Sequence, residues 1–224
     1  MVGLFRERMT EGAGPVDDSW RRLLLTGIPK KVHMLAFQDL RWICRSPGLQ
    51  KSYLGSIVAA CIRHAIPSPV RTLGFKPRMR VDFPIELIRQ CLHLADLWSG
   101  LRCVVVSRGV AFAFDCISHM LMPTALHKRG IPVTLINALM QEMCALEADM
   151  TVYGVGTTNA FPYERGGRQG GKETPQVFNW IMELLMAPAV DHWTRNGYGF
   201  SIDGCQPIHH VIWCDNVLSH WPEL

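Results

Sequence analysis

The sequence predicts an α+β fold, with a small antiparallel sheet packed by helices, on three observations. Helical periodicity dominates the first hundred residues, a short β-branched run follows at Leu101–Val106, and hairpin signals sit at Gly154-Val155-Gly156 and at Asp215-Asn216. Helices come first, and strands then alternate with helices and hairpins. That order argues for α+β with an antiparallel sheet. No internal repeat is evident.

Met1–Asp18 contains Gly12-Ala13-Gly14-Pro15 and reads as a flexible lead-in. Trp20–His64 reads as helical throughout. The pattern is clearest in Ser52–Arg63, where Leu54, Ile57, Val58 and Cys61 fall on one face. Pro67 and Pro69 break the chain, and Gly74–Met79 (GFKPRM) is a basic turn. Phe83–Trp98 is a second amphipathic helix, with Pro84 suited to its first turn and Leu87, Cys91, Leu94 and Leu97 along a face.

Leu101–Val106 reads as a buried strand ending at Ser107-Arg108-Gly109. Ser118–Arg129 returns to helix and is stopped by Gly130, after which Pro132 opens a helix through about Leu146. Met150–Tyr153 and Ala160–Tyr163 form the first hairpin. Thr174-Pro175 starts a helix, the hydroxyl capping and the proline in the first position, with Phe178, Ile181, Leu184 and Leu185 on one face. Ile208–Trp213 and Val217–His220 flank Asp215-Asn216 as the second hairpin.

The chain has 224 residues, 48% hydrophobic and 19% charged, a globular composition that excludes disorder. Its net charge of +4 is compatible with a nucleic-acid partner but falls short of an electrostatic footprint by itself. Eight cysteines without pairing rhythm, and no apolar leader, read as reduced thiols in a soluble intracellular protein. No apolar run approaches the roughly 18 residues of a membrane span.

Three stretches carry chemistry: VVVSRGVAFAFDCISH, then YERGGRQGGKETPQVFNWIMELL, then IHHVIWCDNVLSH. In this order they resemble three successive palm motifs of reverse transcriptases, closest in flavour to those of non-LTR retrotransposons. Upstream, WRRLLLTGIPKKVHMLAFQDLRWI and LGFKPRM resemble the finger motifs of the same family. The resemblance covers about residues 19–220. Its most specific part is Arg165-Gly166-Gly167-Arg168-Gln169-Gly170 followed by Pro175 and Phe178-Asn179.

The resemblance implies a polymerase fingers–palm. Residues 1–18 would be the lead-in, 19–100 a fingers-like helical region, and 101–224 a palm-like region ending after the last catalytic hairpin, with the thumb absent. The implied reaction is RNA-directed DNA synthesis by two-metal nucleotidyl transfer, with Mg²⁺ as cofactor and RNA template, DNA primer and deoxynucleotides as partners. Carried over residue by residue, Phe114 is the sugar gate and Asp115 a supporting residue. Gln169 and Gly170 approach the nascent base pair, and Arg165, Arg168 and Lys76 meet phosphates.

The metal positions depart from the family pattern. Gly109 stands where the first motif has an Asp, and Asp115, six residues on and roughly 20 Å away along a strand, cannot substitute. In the last motif Asp215 survives as a metal ligand, while Asn216 replaces the second Asp. Three carboxylates have become one, so Mg²⁺ binding is expected to be weak and the chain inactive. Two other readings stand beside this one. The chain could be a non-catalytic RNA- or DNA-binding module that retains the fold. It could instead be a zinc-dependent interaction module using Cys205, His209, His210 and Cys214, although adjacent His209 and His210 on a strand should point to opposite faces.

Overall fold

The computed structural model describes residues 20–32, 36–97, 103–200 and 207–222. The chain forms two compact units, each made from two stretches: Met1–Ile66 with Phe114–Phe178, and Pro67–Ala113 with Asn179–Leu224. The boundary expected at residues 100/101 therefore falls inside the second unit. The expected lead-in at 1–18 lies outside the described residues. Helices and two small sheets together make the architecture α+β.

In the first unit, β1 (Arg22–Pro29) pairs antiparallel with β2 (Leu40–Arg45). This overturns the helix expected from Trp20. Leu23 and Leu25 point inward while Arg22 and Leu24 point outward, the two-residue alternation of a strand. Leu24 is apolar yet half-exposed, which hid that alternation within a leucine run. β4 (Leu146–Val152) lies beside β1, and its other edge carries β5 (Gly156–Thr157) and β6 (Phe161–Tyr163) as the expected hairpin, which begins earlier than expected.

β1 and β4 run parallel, with Leu25 opposite Met150, where an antiparallel sheet was expected. A parallel pair requires a long crossover, and everything from β2 onward supplies it. Leu23, Leu25, Cys44, Leu146 and Ala148 form the core of this sheet, closed by Trp42, Met150, Phe161 and Tyr163.

Three helices complete the unit: α1 (Gly48–His64), α3 (Leu121–Lys128) and α4 (Val133–Met143). On α1 the anticipated face of Leu54, Ile57, Val58 and Cys61 is buried, and α4 packs against both α1 and α3. α3 is shorter than expected, residues 118–120 lying outside the helix, and α4 stops at Met143 so that Leu146 can open β4. α5 (Thr174–Arg195) begins here and continues into the second unit.

The second unit is built on a three-stranded antiparallel sheet ordered β3 (Cys103–Gly109), β8 (Asn216–Pro222), β7 (His210–Trp213). β3 is an edge strand rather than a buried one, with Val104 43% exposed. On α2 (Asp82–Leu97), Cys91 and Ala95, flanked by Leu87 and Leu94, pack onto Phe200, Ile208 and Val211. Leu97 and, on α5, Leu185 were expected on buried faces but lie exposed. Among the described residues, no helix is long and apolar enough to cross a membrane.

Candidate functional site

The candidate residues divide between the units. Gly109, Asp215, Asn216 and Lys76 belong to the second; Phe114, Arg165, Arg168, Gln169 and Gly170 belong to the first.

In the second unit, the antiparallel register of β3 and β8 sets Gly109 opposite Asn216 at the end of the sheet. The Val110 N–H donates to the Asp215 carbonyl at 2.8 Å, which closes that end. Among the described residues, a side-chain carbon built at position 109 would meet only Asn216 Oδ1, at 3.9 Å, so an Asp there would have room beside Asn216 at the hairpin tip. The tip itself is the two-residue turn Cys214–Asp215 between Trp213 and Asn216. Such tight turns demand a left-handed first residue, and Cys214 adopts φ 54°. Asp215 is exposed, and the Asn216 amide donates to its Oδ1 at 3.2 Å. The neighbouring Cys214 thiol is pushed above its ordinary pKa, first by burial and then by the Asp215 charge.

The donor set at this tip is one carboxylate and one amide, which does not fit a pair of hard divalent cations. Among the described residues, no group of three or more His, Cys, Asp and Glu side chains converges as a metal site. Lys76 is exposed in the Gly74–Met79 turn, where Phe75 and Arg78 take left-handed backbone.

The segment leading into that turn is bound along β7. Leu73 N–H donates to Ile212 O at 2.8 Å, and Ile212 N–H donates to Arg71 O at 2.9 Å. Two buried side chains one turn apart on α5 hold the same segment. Asn179 Nδ2 donates to Gly74 O at 2.8 Å, and the Thr72 hydroxyl donates to Glu183 Oε1 at 2.6 Å. Sequence reading placed Asn179 in a motif but assigned it no role, and it missed Thr72 and Glu183. Only their polarity at otherwise apolar helix or strand positions could have flagged them.

Residues 111–116 form turns where the chain passes from the second unit to the first, so Phe114 and Asp115 do not continue β3 and the straight-strand distance to Asp115 does not apply. The half-buried Phe114 packs edge-on against Phe178, centroids 5.6 Å apart. Its carbonyl accepts the Gly167 N–H at 2.7 Å, and Ile117 O accepts the Gly166 N–H at 2.8 Å. Gln169 Nε2 donates to Asp115 Oδ1 at 3.3 Å, and the Cys44 N–H donates to Gln169 O at 2.7 Å. The structure thus brings Phe114, Asp115 and Gln169 together and ties their loop to β2. Gly170 sits at φ 106°, with the Cys44 carbonyl 3.2 Å from where a Cβ would be, a conformation and an approach that favour glycine.

Arg165 is exposed beside an open cavity of about 630 Å³ lined also by Trp42, Asp115, Phe161 and Glu164. Tyr163 lines it too, its phenol pushed above the ordinary range by burial and then by the Asp115 charge.

Arg168 corrects the expectation of a phosphate contact. Its side chain is 1% exposed, with Nε on Glu173 Oε1 at 2.8 Å and Nη2 on the Glu142 carbonyl at 2.8 Å. Its charge closes the loop from inside. The helix start that follows also departs from expectation: the Thr174 hydroxyl is buried and has no hydrogen-bond partner among the described residues, so it does not cap α5.

The zinc reading loses its geometry. His209 precedes β7, so strict alternation does not apply, and the two imidazoles lie nearly parallel (15°) with their Nδ1 atoms 2.7 Å apart. His210 Nε2 accepts the Arg71 N–H at 2.8 Å, which leaves its Nδ1 as the donor to His209 Nδ1. His209 Nε2 then donates to Thr194 Oγ1 at 3.2 Å. All four ring nitrogens are committed to hydrogen bonds, and Cys205 lies outside the described residues. No family model matches the chain.

Proposed function

We propose that this chain is a reverse-transcriptase-like fingers–palm domain whose metal site has been depleted. Its ancestral reaction is RNA-directed DNA synthesis, and as it stands the chain does not extend a primer. The observation that carries this reading is the meeting of Gly109 with Asn216 beside Asp215, from strands far apart in the chain. A two-metal site of the family draws its carboxylates from two such strands, and here one carboxylate remains. In this reading Asp215 is the surviving ligand, Phe114 gates the sugar, Gln169 and Gly170 face the nascent pair, and Arg165 and Lys76 approach phosphates.

The test compares the unmodified chain with Gly109→Asp/Asn216→Asp on an RNA template annealed to a DNA primer. The unmodified chain is expected to bind the duplex with an affinity that falls steeply with salt and to extend nothing. The doubly restored chain gains Mg²⁺-dependent extension. A folded, restored chain that neither binds nor extends overturns the family reading, and robust extension by the unmodified chain overturns the depletion. The second reading, a nucleic-acid-binding module without chemistry, is favoured by the same single carboxylate, and absence of binding at low salt eliminates it.

A further inference from the structure

The Cys214–Asp215 turn is strained at Cys214 and lies at an exposed sheet end, yet a backbone buttress stands behind it. Gly74 is packed so closely that a Cβ there would stand 2.3 Å from Cys214 N and 3.0 Å from both its Cα and Sγ. Separations that short between a side chain and backbone do not occur, so this position admits only glycine unless the turn moves.

Gly74 is in turn the end of the Arg71–Gly74 segment that runs along β7, with Thr72 bridged parallel to Ile212. One side chain holds the Gly74 end: Asn179, fully buried, whose Nδ2 meets Gly74 O. Its own Oδ1 is buried and has no partner among the described residues, so this position is used for its donor alone. Glu183, four residues on, grips Thr72 and fixes the segment's middle.

We infer that Asn179 is a positioning residue for Asp215. It acts through Gly74 to hold the hairpin tip in the place where a carboxylate must stand. The inference rests on the reading of Asp215 as the surviving member of the metal motif, but it makes a separate physical claim about what fixes the turn.

Asn179→Asp is the decisive variant, because it keeps the shape and replaces the donor by an acceptor facing a carbonyl. Three amides report on the assembly: Leu73 and Ile212, which tie the segment to β7, and Val110, which donates to Asp215 O. Hydrogen exchange at all three is expected to accelerate by about tenfold or more, the worth of one lost hydrogen bond. Ile57→Ala, a core truncation on α1 in the first unit, serves as control and leaves Val110 exchange close to that of the parent. If Asn179→Asp leaves Val110 exchange unchanged, or if Ile57→Ala accelerates it equally, the inference is overturned.

A second arm places Asn179→Asp in the Gly109→Asp/Asn216→Asp chain and measures primer extension. A drop in kcat with duplex affinity retained supports positioning, and an unaltered kcat overturns it. Should the restored chain neither bind nor extend a primer, the family reading fails; should it bind without extending, that reading stands; in both cases the exchange arm alone decides what holds the turn.

Discussion

Arg168 and Glu173 form an ion pair whose side chains are 1% and 0% exposed, with Arg168 Nη1 and Glu173 Oε2 finding no partner among the described residues. Removing one partner leaves a charge buried alone, whereas removing both leaves an apolar gap. Arg168→Met is therefore expected to cost about 3–5 kcal/mol in urea denaturation, and Arg168→Met/Glu173→Leu to recover most of that loss. The local signal misled here: an arginine in a glycine-rich loop reads as a ligand for phosphate, and nothing in its neighbours announces that a carboxylate five residues on will draw it inward. Cys214 offers a change of opposite sign. Left-handed backbone costs a non-glycine residue roughly 1–2 kcal/mol, so Cys214→Gly is expected to raise the thermal midpoint of the second unit.

Elements whose burial follows one clean period were legible from the chain alone. α1 is the best case: its face of Leu54, Ile57, Val58 and Cys61 is buried as its spacing demands. Ile57, 0% exposed, is expected to lose about 2–5 kcal/mol on truncation to alanine. Leu185, 56% exposed on α5, should lose no more than about 0.5 kcal/mol by the same calorimetric measure. β1 was illegible for the converse reason. A leucine triplet with one member turned outward carries no visible alternation, and its strand state is set by pairing with β2 and β4. At the hairpin of β7 and β8 the flanking apolar runs revealed the hairpin but not its turn: Asp215-Asn216 was expected, whereas Cys214–Asp215 forms it and Asn216 already pairs with Trp213, a one-residue shift of register.

At the scale of the whole molecule, the two units should respond to acid in sequence. His209 is held below the ordinary histidine range, first by burial and then by the Arg71 charge. Trp193 and Thr194 of α5 cover the pair, while the nearby Asp191 and Arg195 neutralise one another on the exposed side. A histidine with a lowered folded pKa leaves the native state holding fewer protons than the unfolded one. Its stabilisation is full above about pH 6.5 and is lost as pH falls through the folded value.

In the first unit, Asp149 is held below the ordinary carboxylate value mainly by its hydrogen bond from Arg22. That contribution persists above about pH 4 and is lost only below it. Hydrogen exchange followed from pH 7 downward should therefore show the second unit loosening first, and His209→Gln should flatten that early limb. Simultaneous loosening of both units near pH 4 would contradict the assignment.

Sequence alone determined that Gly109 and Asn216 stand at the positions where the proposed palm motifs would carry carboxylates. It also determined the helices whose burial is written in a local period. Tertiary structure decided that Gly109 faces Asn216, that Arg168 is sealed inside its loop, and that Asn179 reaches Gly74 behind the Asp215 turn. The physical reason is common to all three. Each depends on a pairing or a desolvated contact between residues distant in the chain, and such contacts are selected by packing of the whole unit rather than by any local pattern.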